Sequence, residues 1–277
     1  MGAVPAGRQA QKAGQAHTAA TAHLTVARVA VAMATYNGAA FLDQQLASIL
    51  TQLPEDGQLV ISDDGSRDGT WEKLELLAAQ DSRVRLVRGP GRGLLQNFAH
   101  ALGRADGDII FLADQDDVWH PDKIEKVLAA FARPEVLAVL HDARVIDGTG
   151  KVVAPSYFAI RQTGPGFWHN LKKNGFIGCC MAVRRELVAA ALPLPAGIPM
   201  HDSYLGLLAT CLGEVAYLRC ALFDYRRHGG NQTGEQHGGA GEMISQRLGL
   251  YRAGRRRARQ IKAAGGIDSS AARGGRC

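Results

Sequence analysis

Between Arg28 and Asp142 the chain repeats a short apolar run followed by an amphipathic stretch, and this rhythm restricts the fold more than any other feature. Arg28-Val-Ala-Val-Ala-Met-Ala34 is almost wholly apolar, as in a strand buried on both faces. Phe41, Leu42, Leu46, Ile49, Leu50 and Leu53 then recur at helical spacing. Gln58-Leu-Val-Ile61 is a second strand, and Trp71, Leu74, Leu77 and Ala78 mark a second helix. Val84-Arg-Leu-Val87 leads through a Gly-rich loop to a helix around Leu94 to Leu102. Asp108-Ile-Ile-Phe-Leu-Ala113 is a fourth strand, and Pro121 suits the first turn of a helix with Ile124, Val127, Leu128 and Phe131 on its apolar face. Val136-Leu-Ala-Val-Leu140 is a fifth strand. Repeated β-α-β units predict an α/β fold, a Rossmann-like, mostly parallel sheet with helices on both faces.

After Asp142 the pattern becomes mixed α+β. Arg144 to Ala154 reads as a hairpin turning at Asp147-Gly-Thr-Gly150. Phe176–Val183 and Glu214–Arg219 read as strands, and Arg185–Ala191 and His201–Leu212 as helices. No linker or repeat separates the halves. The expected organisation is one domain over 28–234, in two halves, 28–142 and 143–234. A flexible extension (1–27) precedes it and a basic tail (235–277) follows.

Composition narrows the function classes. No apolar run approaches the roughly 20 residues a spanning helix needs, and Met1–Ala27 lacks the apolar segment of a secretory signal. The five cysteines form no C-x-x-C pair, so buried reduced thiols in a cytoplasmic protein are expected rather than a zinc site. The formal charge of +6 is concentrated at Arg252, Arg255, Arg256, Arg257, Arg259 and Lys262. With Ile244, Leu248, Leu250, Tyr251 and Ile261, these residues suit an amphipathic helix on an anionic membrane leaflet; a solvated tail is the alternative.

Three polar clusters end predicted strands: Thr35-Tyr36-Asn37-Gly38, Ser62-Asp63-Asp64-Gly65-Ser66 and Asp114-Gln115-Asp116-Asp117. A parallel sheet gathers such loops on one rim, where ligands bind. Three carboxylates within four residues repel one another unless a cation holds them, and Mg²⁺ or Mn²⁺ takes carboxylates together with phosphate oxygens. Asp64-Gly-Ser66-Arg-Asp68-Gly69, with Glu75, nearly fits a calcium loop, but that loop follows a helix whereas Gln58–Ile61 reads as a strand. Asp68 better suits the cap of the helix starting near Thr70. Gly89-Pro-Gly-Arg-Gly93 either offers backbone N–H groups to a phosphate or is an ordinary tight loop.

Taken in order, Ala34-Thr-Tyr-Asn-Gly38, Ser62-Asp-Asp-Gly-Ser66, the helix containing Asn97, Asp114-Gln-Asp-Asp117 and His201-Asp202 resemble glycosyltransferase family 2, inverting enzymes of the GT-A fold. The resemblance runs from about Arg28 to Gly234. Asp114-Gln-Asp-Asp-Val-Trp119 and Tyr225-Arg-Arg-His-Gly-Gly-Asn231 are also similar to bacterial members that build surface polysaccharides, including rhamnosyltransferase-like enzymes.

The resemblance implies that Thr35, Tyr36 and Asn37 line a nucleotide pocket and that Asp63 or Asp64 bonds the base, uracil or thymine. It implies that Asp114 lies near ribose and metal, that Asp116 binds the metal, that Asp117 meets the donor sugar or holds the loop, and that Asp202 is the general base. Many members have Glu where this chain has His201, which either positions Asp202 or faces solvent. On spacing alone Asp202 better suits a helix cap, and the resemblance reverses that ranking.

His228 is a candidate for the metal shell or the diphosphate, and Arg226 and Arg227 for phosphate contacts. Asn97 is a candidate for the donor and diphosphate region. Trp119 lies either under the donor sugar or in the core. The expected partners are a UDP- or dTDP-sugar and a glycan or lipid-linked acceptor, with no nucleic acid. The competing classes are a nucleotidyltransferase, which would show a Gly-rich basic loop after the first strand, and a calcium- or nucleic-acid-binding module.

Overall fold

The structure, a computed structural model, describes residues 27–229 and 240–267. Most of the 1–27 extension, Asn231 and Cys277 lie outside the described residues, as do parts of the 235–277 tail.

The predicted alternation appears as β1 (Val29–Thr35), α1 (Leu42–Leu50), β2 (Gln58–Asp63), α2 (Thr70–Gln80), β3 (Val84–Arg88), α3 (Leu94–Leu102) and β4 (Ile109–Ala113). These are followed by β5 (Val118–Trp119), α4 (Lys123–Ala130), β6 (Val136–Asp147), β7 (Val152–Ala154), α5 (Tyr157–Arg161) and α6 (Phe167–Lys172). A 3₁₀ turn at Gly178–Cys180 leads into β8 (Met181–Arg184), α7 (Arg185–Ala191), α8 (His201–Leu212), β9 (Glu214–Arg227) and α9 (Ala240–Ala263).

One sheet of nine strands crosses both halves in the order β3-β2-β1-β4-β8-β6-β9-β5, with β7 paired to β6. Strands β3, β2, β1 and β4 are parallel, as are β6 and β9. β8 enters antiparallel between β4 and β6.

Every residue of β1 and β4 is buried because helices cover both faces. One core packs Ala30, Ala32, Ile110 and Leu112 against α3, α7, α8 and α9. The opposite core packs Val31, Met33, Ile109 and Phe111 against α1, α2 and α4. Alternate strand residues thus feed different layers, as the period of a strand requires.

Several expectations change. Pro121 lies in the turn before α4 rather than inside its first turn. Phe176–Val183 is not one strand, since the 3₁₀ turn interrupts it. β9 has 14 residues, so His228 follows a long strand. The basic tail includes a 24-residue helix packed on α6, α7 and α8, with Leu250 and Ala258 in the core. Its amphipathic residues divide: Leu250 is buried, whereas Ile244 and Leu248 are exposed. No helix among the described residues is long and apolar enough to cross a membrane.

Candidate active site

The parallel register aligns the strand ends. Thr35 lies opposite Asp63 across β1 and β2, and Met33 lies opposite Ala113, one residue before Asp114. The three clusters therefore share one rim.

The first two clusters interlock. Thr35 Oγ1 donates to Asp63 Oδ2 at 3.0 Å, and Asp63 Oδ1 accepts from the amides of Gly65 and Ser66. Ser66 Oγ also donates to Asp63 Oδ2. Both Thr35 and Asp63 are buried, so these side chains hold the rim together instead of lining a pocket. Asp64 accepts from Gly91 N–H and Gly93 N–H, each at 2.7 Å. The Gly89–Gly93 loop thus turns these amides toward a carboxylate, which replaces the phosphate expectation. Asp64 is only half-buried, and a carboxylate has further acceptor positions.

Tyr36 is 47% exposed beside this rim. Asn37 sits at φ 49°, where its amide donates to Ser66 Oγ and its Oδ1 accepts from Arg67 N–H. Asp68 accepts from the amides of Thr70 and Ala39, so it ties the start of α2 to the β1 loop. The segment follows β2 directly, so it lacks the preceding helix of a calcium loop.

Gln115 is a locking residue that the sequence reading missed. Its side-chain amide accepts from Tyr36 N–H at 2.8 Å and donates to Tyr36 O at 3.1 Å. Gly38 permits this approach, since a Cβ there would lie 2.3 Å from Gln115 Oε1. The pattern Asp-Gln-Asp-Asp contains the signal, but only the paired loop reveals it.

The acidic loop turns two ways. Ligand atoms of Asp114, Asp117 and Cys179 lie within 4.8 Å of one another. Asp116 Oδ2 instead lies 2.9 Å from His228 Nε2. Burial and the neighbouring Asp116 push Asp114 up to about 7. Burial, Asp116 and Asp114 also raise Asp117 well above the carboxylate range. Asp117 Oδ2 is buried without a hydrogen-bond partner. Hard oxygen donors with one orphaned atom, plus an imidazole, suit Mg²⁺ or Mn²⁺. The expected ligands thus divide, Asp114 lying with Asp117 and Cys179 and Asp116 with His228.

Lys123 is the second missed residue. Its ammonium is fully buried, donates to Cys179 O at 3.1 Å, and lies 3.8 Å from the Trp119 ring centroid. Burial lowers it to about 8, while Asp117 and Asp114 favour its charge. Its place on a helix four residues beyond Trp119 gave no sign of this position.

Three donor-region candidates have other roles. Asn97 is buried, and its Nδ2 donates to Thr35 O and Ser62 O, bridging β1 and β2. Trp119 is buried and packs against Phe111, so it is a core residue. Arg226 is 4% exposed; its Nε donates to Asp116 O and its backbone amide to Asp117 Oδ1. Arg226 therefore fastens β9 to the acidic loop. Arg227 alternates to the exposed side.

Asp202 opens the first turn of α8, whose N-cap is Met200, so Asp202 does not serve as that cap. Its Oδ2 accepts from Gly178 N–H at 3.1 Å, and its Oδ1 accepts from Ser203 N–H and Oγ. Burial pushes it up to about 6 despite those donors. Gly178, which donates to Asp202, precedes Cys179, whose Sγ lies within 4.8 Å of ligand atoms of Asp114 and Asp117, so the 3₁₀ turn connects Asp202 to the acidic loop.

His201 is buried, not solvent-facing, and stacks on Phe98 at 4.0 Å. Burial holds it neutral by lowering it to about 3. The packing is close here, since a Cβ on Gly178 would approach His201 Nε2 to 3.0 Å.

A rim of polar strand ends, a cation-suited acidic loop and a separate carboxylate define a GT-A-type sugar-transfer site. The chain belongs to glycosyl transferase family 2, whose sequence profile matches residues 30–191. It is 26% identical over 213 residues to an uncharacterised glycosyltransferase of Nostoc sp., covering 74% of this chain and 66% of the relative. It is 28% identical over 218 residues to the dTDP-rhamnosyl transferase RfbG of Shigella flexneri, covering 73% of each.

Staphylococcus aureus TarS in complex with UDP-GlcNAc shares the fold with a TM-score of 0.59 and 16% identity, over 76% of this chain and 62% of that one. The Pyrobaculum calidifontis mannosyltransferase PcManGT, in complex with GDP-Man and Mn²⁺, superposes with a TM-score of 0.58 and 19% identity, over 88% of this chain and 78% of that one. The chain thus spans less than two thirds of the Nostoc and TarS lengths.

Proposed function

We propose that this enzyme transfers a glycosyl unit, with inversion, from a UDP- or dTDP-linked donor to a hydroxyl of a glycan or lipid-linked saccharide in cell-surface polysaccharide synthesis. The observation that carries the reading is the 3₁₀ turn that links the two carboxylate groups: Gly178 N–H bonds Asp202, and the next residue, Cys179, lies with Asp114 and Asp117 of the acidic loop. Nucleotide sugars named with the related structures, and the rhamnosyl transferase relative, support the donor class. The reading places residues 28–234 in one catalytic domain and the enzyme in the cytoplasm, peripheral on the inner membrane face.

Of the two candidate base contacts, Asp64 is favoured because Asp63 is sealed by Thr35, Gly65 and Ser66. Tyr36 and Asn37 flank the same opening. Asp116, Asp114 and His228 would hold a Mg²⁺ or Mn²⁺ ion, which would supply charge neutralisation for the diphosphate. Asp202 takes the acceptor hydroxyl proton as that oxygen attacks the anomeric carbon. The bond from that carbon to the diphosphate oxygen breaks, and the nucleoside diphosphate leaves with the electron pair. Attack and departure on opposite faces invert the centre.

The Gly178 and Ser203 donors orient the Asp202 carboxylate, and burial raises its basicity. The test is donor binding set against transfer. Asp202→Asn should keep nucleotide-sugar binding and lose transfer, whereas Asp116→Asn should lose metal-dependent binding. Full transfer by Asp202→Asn would remove the base assignment.

A further inference from the structure

We propose that α6 and α9 form one face that seats on an anionic lipid bilayer. The proposal deepens the reading of a lipid-linked acceptor and rests on it for its purpose, although its test does not require transfer. α9 carries seven basic residues and one acid in 24 positions. It is fixed to the body rather than trailing from it. Leu250, Gly254 and Ala258 form its buried stripe, and Arg257 Nε donates to Ala190 O at 2.6 Å.

With that stripe turned inward, the i, i+4, i+7 row Ile244, Leu248 and Tyr251 lies about a quarter turn to one side of it. Ile244 is 64% exposed and Leu248 43% exposed. Trp168 of α6 is 68% exposed and stacks on Tyr251 with centroids 5.7 Å apart and planes at 23°. Exposed Arg252, Arg255 and Arg259 stand beside this row, and the Arg255 guanidinium lies 5.9 Å from the Tyr251 ring centroid.

An apolar row with an aromatic anchor and flanking guanidinium groups matches a helix lying in the headgroup region of an anionic membrane. Aromatic rings with arginines also suit single-stranded nucleic acid. Ile244 and Leu248 decide for lipid, because an aliphatic side chain offers a base no stacking face but gains on entering acyl chains. The helix behind α9 is α8, which begins with His201 and Asp202. Seating α9 therefore fixes the orientation of the base relative to the bilayer.

The experiment is co-sedimentation of the full chain with phosphatidylcholine vesicles, with and without phosphatidylglycerol, free of donor and acceptor. The expected result is binding that requires phosphatidylglycerol and weakens with salt. The double variant Arg255→Glu/Arg259→Glu should lose at least about tenfold in vesicle affinity. Arg255→Lys/Arg259→Lys should restore it, and Trp168→Ala should weaken binding at unchanged charge. The glutamate variant should unfold at the wild-type temperature and still transfer to a water-soluble acceptor.

Equal binding to phosphatidylcholine alone, unchanged binding by the charge-reversed variant, or an oligonucleotide that displaces the vesicles would overturn the proposal. Loss of transfer with vesicle binding intact would count against the function reading and leave this one standing.

Discussion

The carboxyl of Asp202 combines reactivity with an energetic penalty. Its folded-state value near 6 lies above the ordinary 3.8 because burial disfavours the charge. As a base it must be ionised, so transfer should fall about tenfold for each pH unit below 6 and level off above it. A pH-rate profile checks this; a profile flat from pH 5 to 8, on the order of three units around that value, would remove Asp202 from the chemistry. Because the folded value is raised, the native state binds the extra proton between 3.8 and about 6. Stability is therefore lost as pH rises through that window, and the penalty is complete above it. Relative to wild type, Asp202→Asn should gain up to about 3 kcal/mol between pH 4 and pH 8 in denaturant titrations. Its transfer should drop on the order of a hundredfold to ten-thousandfold. At the other side of the site, His228→Ala removes the partner of Asp116 Oδ2. It should raise the Mn²⁺ concentration needed for half-maximal transfer severalfold, and an unchanged metal titration would exclude His228 from the ion's shell. Asp116 and His228 stood out because acidic and imidazole groups at strand ends are conspicuous, whereas the base role of Asp202 rested on the family resemblance. The sequence concealed Gln115 and Lys123, whose meaning depends on what lies across the rim or beneath the loop.

Among the elements, α9 departs most from expectation. The basic stretch reads as an amphipathic helix on a membrane leaflet or as a solvated tail, yet Leu250 is only 5% exposed within the core shared with α8. Leu250→Ala should cost about 2–4 kcal/mol by chemical denaturation. A loss below about 0.5 kcal/mol, typical of a surface site, would mean that α9 does not dock. Apart from the two-residue β5, the helices and strands before Asp142 were legible because each carries an apolar stripe or run. The later ones were less so for identifiable reasons. β9 mixes buried and half-buried residues without strict alternation, so only its first six residues read as strand. α5 and α6 have five and six residues, too short to display a helical period. Gly178–Cys180 follows an apolar residue and precedes a strand, so its 3₁₀ turn is invisible until Asp202 is seen accepting from Gly178 N–H. The sharing of this turn between the base, Lys123 and the acidic loop is a tertiary fact that no local pattern encodes.

At the scale of the whole molecule, one continuous sheet delivers three loops to a rim, and β9 returns along β6 to bring Arg226 and His228 beneath them. The account's central claim is that this rim binds a nucleotide-diphosphate sugar with a divalent cation through Asp116, while Asp202 acts afterwards. The most direct measurement is a thermal-shift titration of wild type, Asp116→Asn and Asp202→Asn with UDP- and dTDP-sugars, each with and without Mn²⁺. At a hundredfold excess over the dissociation constant, bound donor should stabilise wild type by about 2.7 kcal/mol. This stabilisation should require Mn²⁺, vanish in Asp116→Asn and persist in Asp202→Asn, whose transfer should nonetheless fall at least about a hundredfold. A chain that no nucleotide-diphosphate sugar stabilises with Mn²⁺ present, or an Asp116→Asn variant that responds like wild type, would contradict the account.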